Sequence, residues 1–213
     1  MSLADELIDI YDSEHNPVGR AGYAQAHQEG LWHEAFHCWI IKRDEDGNKI
    51  WLQHRGKKMK NYPNLLDISS GGHLQSGVKP RQGGTLQIKK ELGISINPDD
   101  LNKLFTTTMI NGKESGLNNR EFCAVYLYET NRAVHGLVLD KLEVDGIFES
   151  NFDEIYELFH DKRKQVVLSG AERNDDNTYT YLDREVTLTD FVPHGSDYYF
   201  KVFDAIKRVL ESK

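Results

Sequence analysis

The stretch DISSGGHLQSGVKPRQGGTLQIKKELGI, residues 67 to 94, is where this chain could act on phosphate. A strand-like start runs into a Gly-Gly turn, where backbone can approach a ligand closely, and His73 follows directly. A helix comes next and stops at Gly93, with a single acid, Glu91, near its end. Most of the acid that such a motif would use is missing. The residues leave three readings open: a working metal site, a site rebuilt for other chemistry, or a relic. A second feature is HRGKKMK, residues 54 to 60, with four basic residues in seven. Such a loop is either solvated or faces an anion, and in the second case Arg55 and Lys60 are its contacts. Cys38 and Cys123 lie in apolar runs and read as buried core thiols.

The elements that would position these groups follow from residue patterns. Residues 6–22 read as a strand, a turn at Asn16-Pro17 and a short return strand. WHEAFHCWIIKR (32–43), the turn DEDGN and KIWLQHR (49–55) carry a β-hairpin signal. Residues 80–92 read as a helix, with Pro80 suited to its first turn and Gly93 to the position just past its end. Thr85, Ile88 and Leu92 share one face of it, with Leu86 beside them. LFTTTMI, REFCAVYLYE and GIFES read as strands, FDEIYELFHDK (152–162) as a helix, and TYTYLDREVT as a strand or hairpin. The tail repeats Tyr199, Val202, Phe203, Ile206, Val209 and Leu210 at helical spacing. Strands mixed with helices indicate an α/β layer fold.

The whole chain sets wider bounds. Its 213 residues suffice for one domain with a modest extension, and 38% apolar content can bury a sizeable core. A net charge of −8 argues against general nucleic-acid or anionic-membrane partners. Two cysteines make no disulfide framework, no apolar run approaches a membrane span, and the start shows no signal-peptide pattern. The expected setting is cytoplasmic. Oligomeric state is left open.

From Gly72 to Ile94 the spacing resembles the Nudix box: Gly, five residues, Glu, seven residues, then Arg-Glu-apolar-x-Glu-Glu-x-Gly-apolar. Ile88, Glu91, Gly93 and Ile94 fill their slots. Val78, Leu86, Gln87 and Lys90 replace Glu, Arg, Glu and Glu. Residues 87, 90 and 91 share a helix face, where three carboxylates could hold Mg²⁺ against a diphosphate. Here two of those charges are gone and one is reversed. YAQAHQEGLWHEAFHCWII, GGHLQ and REFCAVYLY look like the isopentenyl-diphosphate isomerase branch of the Nudix superfamily, over roughly residues 5 to 150.

The resemblance implies a Nudix fold: a mixed β-sheet sandwiched between helices, with an N-terminal strand pair and a C-terminal helical extension. It implies one Nudix domain over residues 1–213, with a core at about 30–150 and an extension at about 151–213. It also implies a MutT-like hydrolase that cleaves a diphosphate linkage in a small molecule with a divalent metal, Mg²⁺ or Mn²⁺. Glu91 matches the acid that binds metal with the diphosphate, and Arg55 matches a basic residue that meets the diphosphate. His27, His33, His73 and Glu121 match four of five ligands of a further metal, and Asn119 stands where the fifth belongs. Three histidines and a carboxylate suit Zn²⁺, Mn²⁺ or Fe²⁺. In a hydrolase, Glu91 and Glu121 are the remaining catalytic ligands, and a third acid would come from Glu114 or Asp67. The isomerase itself needs a Cys where Gly71 stands and a cation where Gln87 and Gly22 stand. Many bacterial proteins of this branch also lack that Cys and are regarded as Nudix hydrolases. The alternatives are a catalytically silent diphosphate-binding module and, third, the isomerase.

Overall fold

The computed structural model describes residues 6–111 and 118–212. Its centre is β3 (Trp32–Lys42), a run of aromatic and β-branched residues. Such a run suits a strand covered on both faces. Along one edge β3 pairs in parallel with β8 (Asn119–Thr130), from Trp32 opposite Arg120 to Lys42 opposite Thr130. β7 (Leu101–Asn111) extends the sheet antiparallel beyond β8. The other edge is shared by three partners. β1 (Leu7–Tyr11) pairs at Trp32 and His33, β6 (Ser70–His73) pairs along 35–38, and β4 (Lys49–Arg55) pairs at Ile41 and Lys42. β2 (Pro17–Gly22) completes the expected N-terminal strand pair with β1. β5 (Leu66–Asp67), β9 (Val144–Asn151), β10 (Val166–Arg173) and β11 (Tyr179–Val186) continue the sheet beyond β4.

Helices cover both faces. Below the sheet, α2 (Pro80–Leu92) seats Ile88 and Leu92 on Phe36, Cys38 and Ile40 of β3. Above it, α3 (Phe152–Phe159) and α4 (Ser196–Glu211) pack Phe152, Ile155, Val202, Phe203 and Ile206 on Ala35, Trp39 and Ile41. This is the mixed sheet between helices expected from the sequence. Alternation along β3 sends odd positions to α3 and α4 and even positions to α2.

Several details differ from the sequence reading. The expected 32–55 hairpin closes only at Ile41–Ile50 and Lys42–Lys49. β4 then leaves for β9, and β6 takes the vacated edge, because local turn chemistry does not decide which distant strand competes for it. α1 (Tyr23–Glu29) was not anticipated; it ends at Gly30, which is left-handed at φ 65°. β10 was also missed. In α2, Gly84 replaces Thr85 on the buried face and Leu86 is 60% exposed. The absence of a side chain at Gly84 lets the helix press onto the Phe36 ring, which rotates the buried stripe away from Leu86.

Candidate active site

Three neighbouring strand ends and one helix converge on a single spot. His33 opens β3 and lies opposite Glu121 at the start of β8. His73 ends β6 opposite Ala35, two residues along β3 from His33 and on the same face. α1 crosses this end of the sheet and contributes His27 from its last turn. Nε2 of His27 and of His73 lie 3.1 Å apart, and Nε2 of His73 is 3.1 Å from Glu121 Oε1. His33 Nε2 stands 3.8 Å from the same oxygen.

Backbone carbonyls determine the tautomers. His27 Nδ1 is 2.8 Å from the Tyr23 carbonyl, and His33 Nδ1 is 2.9 Å from the Leu31 carbonyl. A carbonyl only accepts, so both Nδ1 atoms carry a proton and each ring leaves its Nε2 for the cluster. His33 Nε2 is buried without a hydrogen-bond partner. Burial, with the neighbouring His73, lowers His27 to about 4, so this ring is neutral at pH 7. Burial works against the Glu121 charge, yet His33 and His73 hold its carboxyl well below the usual range. Three imidazoles and an ionised carboxylate thus meet at this end of the sheet.

The arrangement fits a divalent cation. Tetrahedral N and O ligands at about 2.0–2.1 Å from an ion lie about 3.3 Å from one another. Three of the six separations are 3.1, 3.1 and 3.8 Å, and the three histidine nitrogens lie within 4.8 Å of one another. The carbonyl contacts at both Nδ1 atoms are of the kind that orients metal-binding imidazoles.

Glu91 lies elsewhere. It rises from α2 on the opposite face of β6 and is only 3% exposed. Its Oε2 accepts the Ser70 hydroxyl at 2.5 Å and the Gly71 amide at 3.1 Å. Burial, with Glu143 nearby, raises the carboxyl to about 7. Gln87, in a Nudix-box acid slot, donates to the Gly71 carbonyl at 3.2 Å, and Lys90, in another, holds Glu143 at 2.7 Å. Glu91 is met by donors, and its neighbouring carboxylate is neutralised. As arranged, these residues do not fit Mg²⁺ at Glu91.

Arg55 is partly committed. It gives Nη1 to Asp67 at 2.7 Å, Nε to the Tyr62 carbonyl and Nη2 to the Asn61 carbonyl. These contacts use three of its five N–H donors. The guanidinium also acts electrostatically on Tyr23, which stacks beside His27. Lys60 is exposed on the loop that Arg55 holds. Asp67 faces Arg55 and, at 2.6 Å, His194. Glu114 lies outside the described residues. Asn119 is half-buried at the start of β8, and its Oδ1 has no hydrogen-bond partner.

Known proteins place the chain. No family model matches it. An uncharacterized Nudix hydrolase of Clostridium acetobutylicum is 32% identical over 206 residues, covering 96% of this chain and 98% of that protein. This chain belongs to the Nudix hydrolase family. Within the family, a Photorhabdus laumondii protein named isopentenyl-diphosphate Delta-isomerase 2 is 32% identical over 89 residues, covering 42% of this chain and 49% of that protein. Solved structures share the fold. A Deinococcus radiodurans protein matches with a TM-score of 0.54 at 18% identity, covering 70% of this chain and 86% of that chain. A MutT/nudix family protein from Enterococcus faecalis matches at 0.53 and 14%, covering 83% and 61%. In this Nudix protein a side chain at Gly71 would displace Ile68 Cδ1 and stand 3.0 Å from the Phe36 carbonyl, so the position is tight where the isomerase has its Cys.

The sequence reading passed over several polar groups. His37 follows His33 and Ala35 on the same face of β3, and Cys123 follows Glu121 on the same face of β8. Strict alternation could have found both. Tyr198 and His194, which touch His37 and Asp67, had no sequence signal because the contacts span more than a hundred residues.

Among the described residues, no helix is long and apolar enough to cross a membrane.

Proposed function

We propose that this Nudix protein hydrolyses a diphosphate linkage in a small molecule, with a divalent transition metal held by His27, His33, His73 and Glu121. The observation that carries this reading is the pair of imidazoles fixed through Nδ1 by backbone carbonyls, whose Nε2 atoms face a third imidazole and a carboxylate. An ion bound there would polarise a phosphoryl oxygen or lower the pKa of water. The chain's own residues do the rest. His27 is neutral at pH 7 and needs no deprotonation to act as a ligand. Arg55 keeps two N–H donors for a diphosphate while two others hold the 56–65 loop, on which Lys60 supplies a further charge, and one holds Asp67. Glu91 stands outside the metal group and holds a proton near neutrality, in the range a general acid or base needs.

A second reading, a catalytically silent diphosphate-binding module, draws on the Lys90–Glu143 pair and the Gln87–Gly71 hydrogen bond, which occupy the places of the lost acids. The test is metal content of protein purified without chelator, for wild type and His73→Ala, followed by a diphosphate hydrolysis screen. About one transition metal per chain fewer in the variant than in wild type, together with metal-dependent turnover, supports the hydrolase. Metal without turnover of any diphosphate supports the silent module. No metal in either sample overturns the metal centre.

A further inference from the structure

Behind the histidine cluster lies a second group of donors that the reading above does not use. Glu121 turns Oε1 toward His73 and His33, and its other oxygen, Oε2, is 3.8 Å from Cys123 Sγ. The same sulfur is 3.5 Å from His37 Nε2 and 3.4 Å from Met109 Sδ. His37, Glu121 and Cys123 are all buried. One thiol carries one proton and cannot serve an imidazole, a carboxylate and a thioether at once. The group has more lone pairs than protons.

We infer that His37, Cys123 and Glu121 form a second metal site, for a borderline-soft divalent ion such as Zn²⁺, with Glu121 bridging it to the histidine centre. For bonds of about 2.3 Å to sulfur and about 2.0–2.1 Å to nitrogen or oxygen, tetrahedral neighbours of the sulfur lie about 3.5 Å from it. The observed distances are 3.5 and 3.8 Å. Thiolate and imidazole together select this class of ion over Mg²⁺ or Ca²⁺. Met109 closes the group as a weak fourth neighbour.

The protons balance on binding. The thiol proton leaves to solvent as the Cys123–metal bond forms. With its Nε2 on the ion His37 would keep one proton, on Nδ1, which lies 2.7 Å from the Tyr198 hydroxyl, itself an acceptor from Trp39 Nε1–H at 3.3 Å. That contact supports the ligand from behind. Access comes from a cleft of about 500 Å³ between β7 and the start of α4, lined by Met109, Tyr198, His194 and Lys201 among others. Met109 and Tyr198 thus touch both the cleft and the proposed ligands, which puts the ion beneath the cleft floor.

The inference shares Glu121 with the proposed histidine centre, but its sulfur gives it a signature of its own. The experiment is titration of metal-free protein with Co²⁺, read by absorption and by stoichiometry. The histidine centre contains no sulfur, so a thiolate-to-Co²⁺ charge-transfer band can arise only at Cys123 or Cys38. Cys38 lies on the α2 face of β3, away from His37. The expected result is about two Co²⁺ per chain with the band present. Cys123→Ser loses the band and falls to about one, while Cys38→Ser keeps both. His73→Ala keeps the band and falls to about one; two ions and an intact band in that variant would sink the histidine centre and leave this site standing. A saturated wild type without the band, or a band lost in Cys38→Ser, overturns the inference even if Cys123→Ser fails to fold.

Discussion

Substituting Glu91→Gln separates a buried proton-holding carboxyl from a metal ligand. The side chain sits beneath β6 among Ser70, Gly71, Gln87 and Cys38, with Glu143 as its nearest like charge and Lys90 bound to that neighbour. Folding carries the carboxyl from 4.5 to about 7. A group raised in the folded state adds its full stability below its unfolded value and loses it as pH rises through the folded value. The window is therefore pH 4.5 to about 7. Across it the native protein is weakened by about 3 kcal/mol, at 1.36 kcal/mol for each pH unit between the two values. Gln keeps an oxygen to accept from Ser70 and Gly71 but carries no charge. The variant should gain on wild type by under about 1 kcal/mol at pH 5 and by about 3 kcal/mol at pH 8, roughly 6–12 °C in Tm. The assay is urea unfolding of both proteins in chelator from pH 5 to 8. Any packing difference appears as a constant offset, so only the pH-dependent part is read. Curves that run parallel over the whole range would refute the reasoning and return Glu91 to an ordinary ionised carboxylate.

Other perturbations test the surrounding structure. Gly84→Ala, which helix propensity alone would favour by about 1 kcal/mol, should destabilise by about 1–3 kcal/mol in thermal melts, because its Cβ overlaps the fully buried Phe36 ring. Asp67, held below the usual carboxylate range against its own burial by His194 and Arg55, contributes stability above about pH 4 that is lost as pH falls. Asp67→Asn should therefore cost about 3 kcal/mol at pH 7 and progressively less toward pH 3 in denaturant titrations. Gly71→Cys should give no deuterium exchange into isopentenyl diphosphate in D₂O and a lower Tm, since Ile68 and the Phe36 carbonyl already fill the space; measurable exchange would reverse that conclusion. The double change Gln87→Glu, Lys90→Glu should lower Tm at pH 8 without creating metal-dependent hydrolysis, because it breaks the Lys90–Glu143 pair and crowds carboxylates around Glu91 and the Gly71 carbonyl.

Legibility differed from element to element. α2 was readable to its ends, since Pro80 and Gly93 mark them through their own backbone limits. Its buried face was not, because a glycine's role depends on the ring it meets and Phe36 is distant in sequence. α1 carried no strong cap or periodicity, yet it delivers His27. Individual site residues could be named from the family resemblance, whereas their convergence could not be derived from the spacing of residues.

What the sequence alone determined were the family likeness, the alternation that puts His33 and His37 on one face, and the missing acids of the box. These are local or positional properties of the chain. Tertiary structure decided the rest: that three strand ends and α1 bring three histidines beside Glu121, that Lys90 turns to Glu143, and that Cys123 meets His37 behind Glu121. Those outcomes depend on which strands compete for the edges of β3 and on how deeply each polar group is buried. Neither quantity is carried by any single stretch of residues.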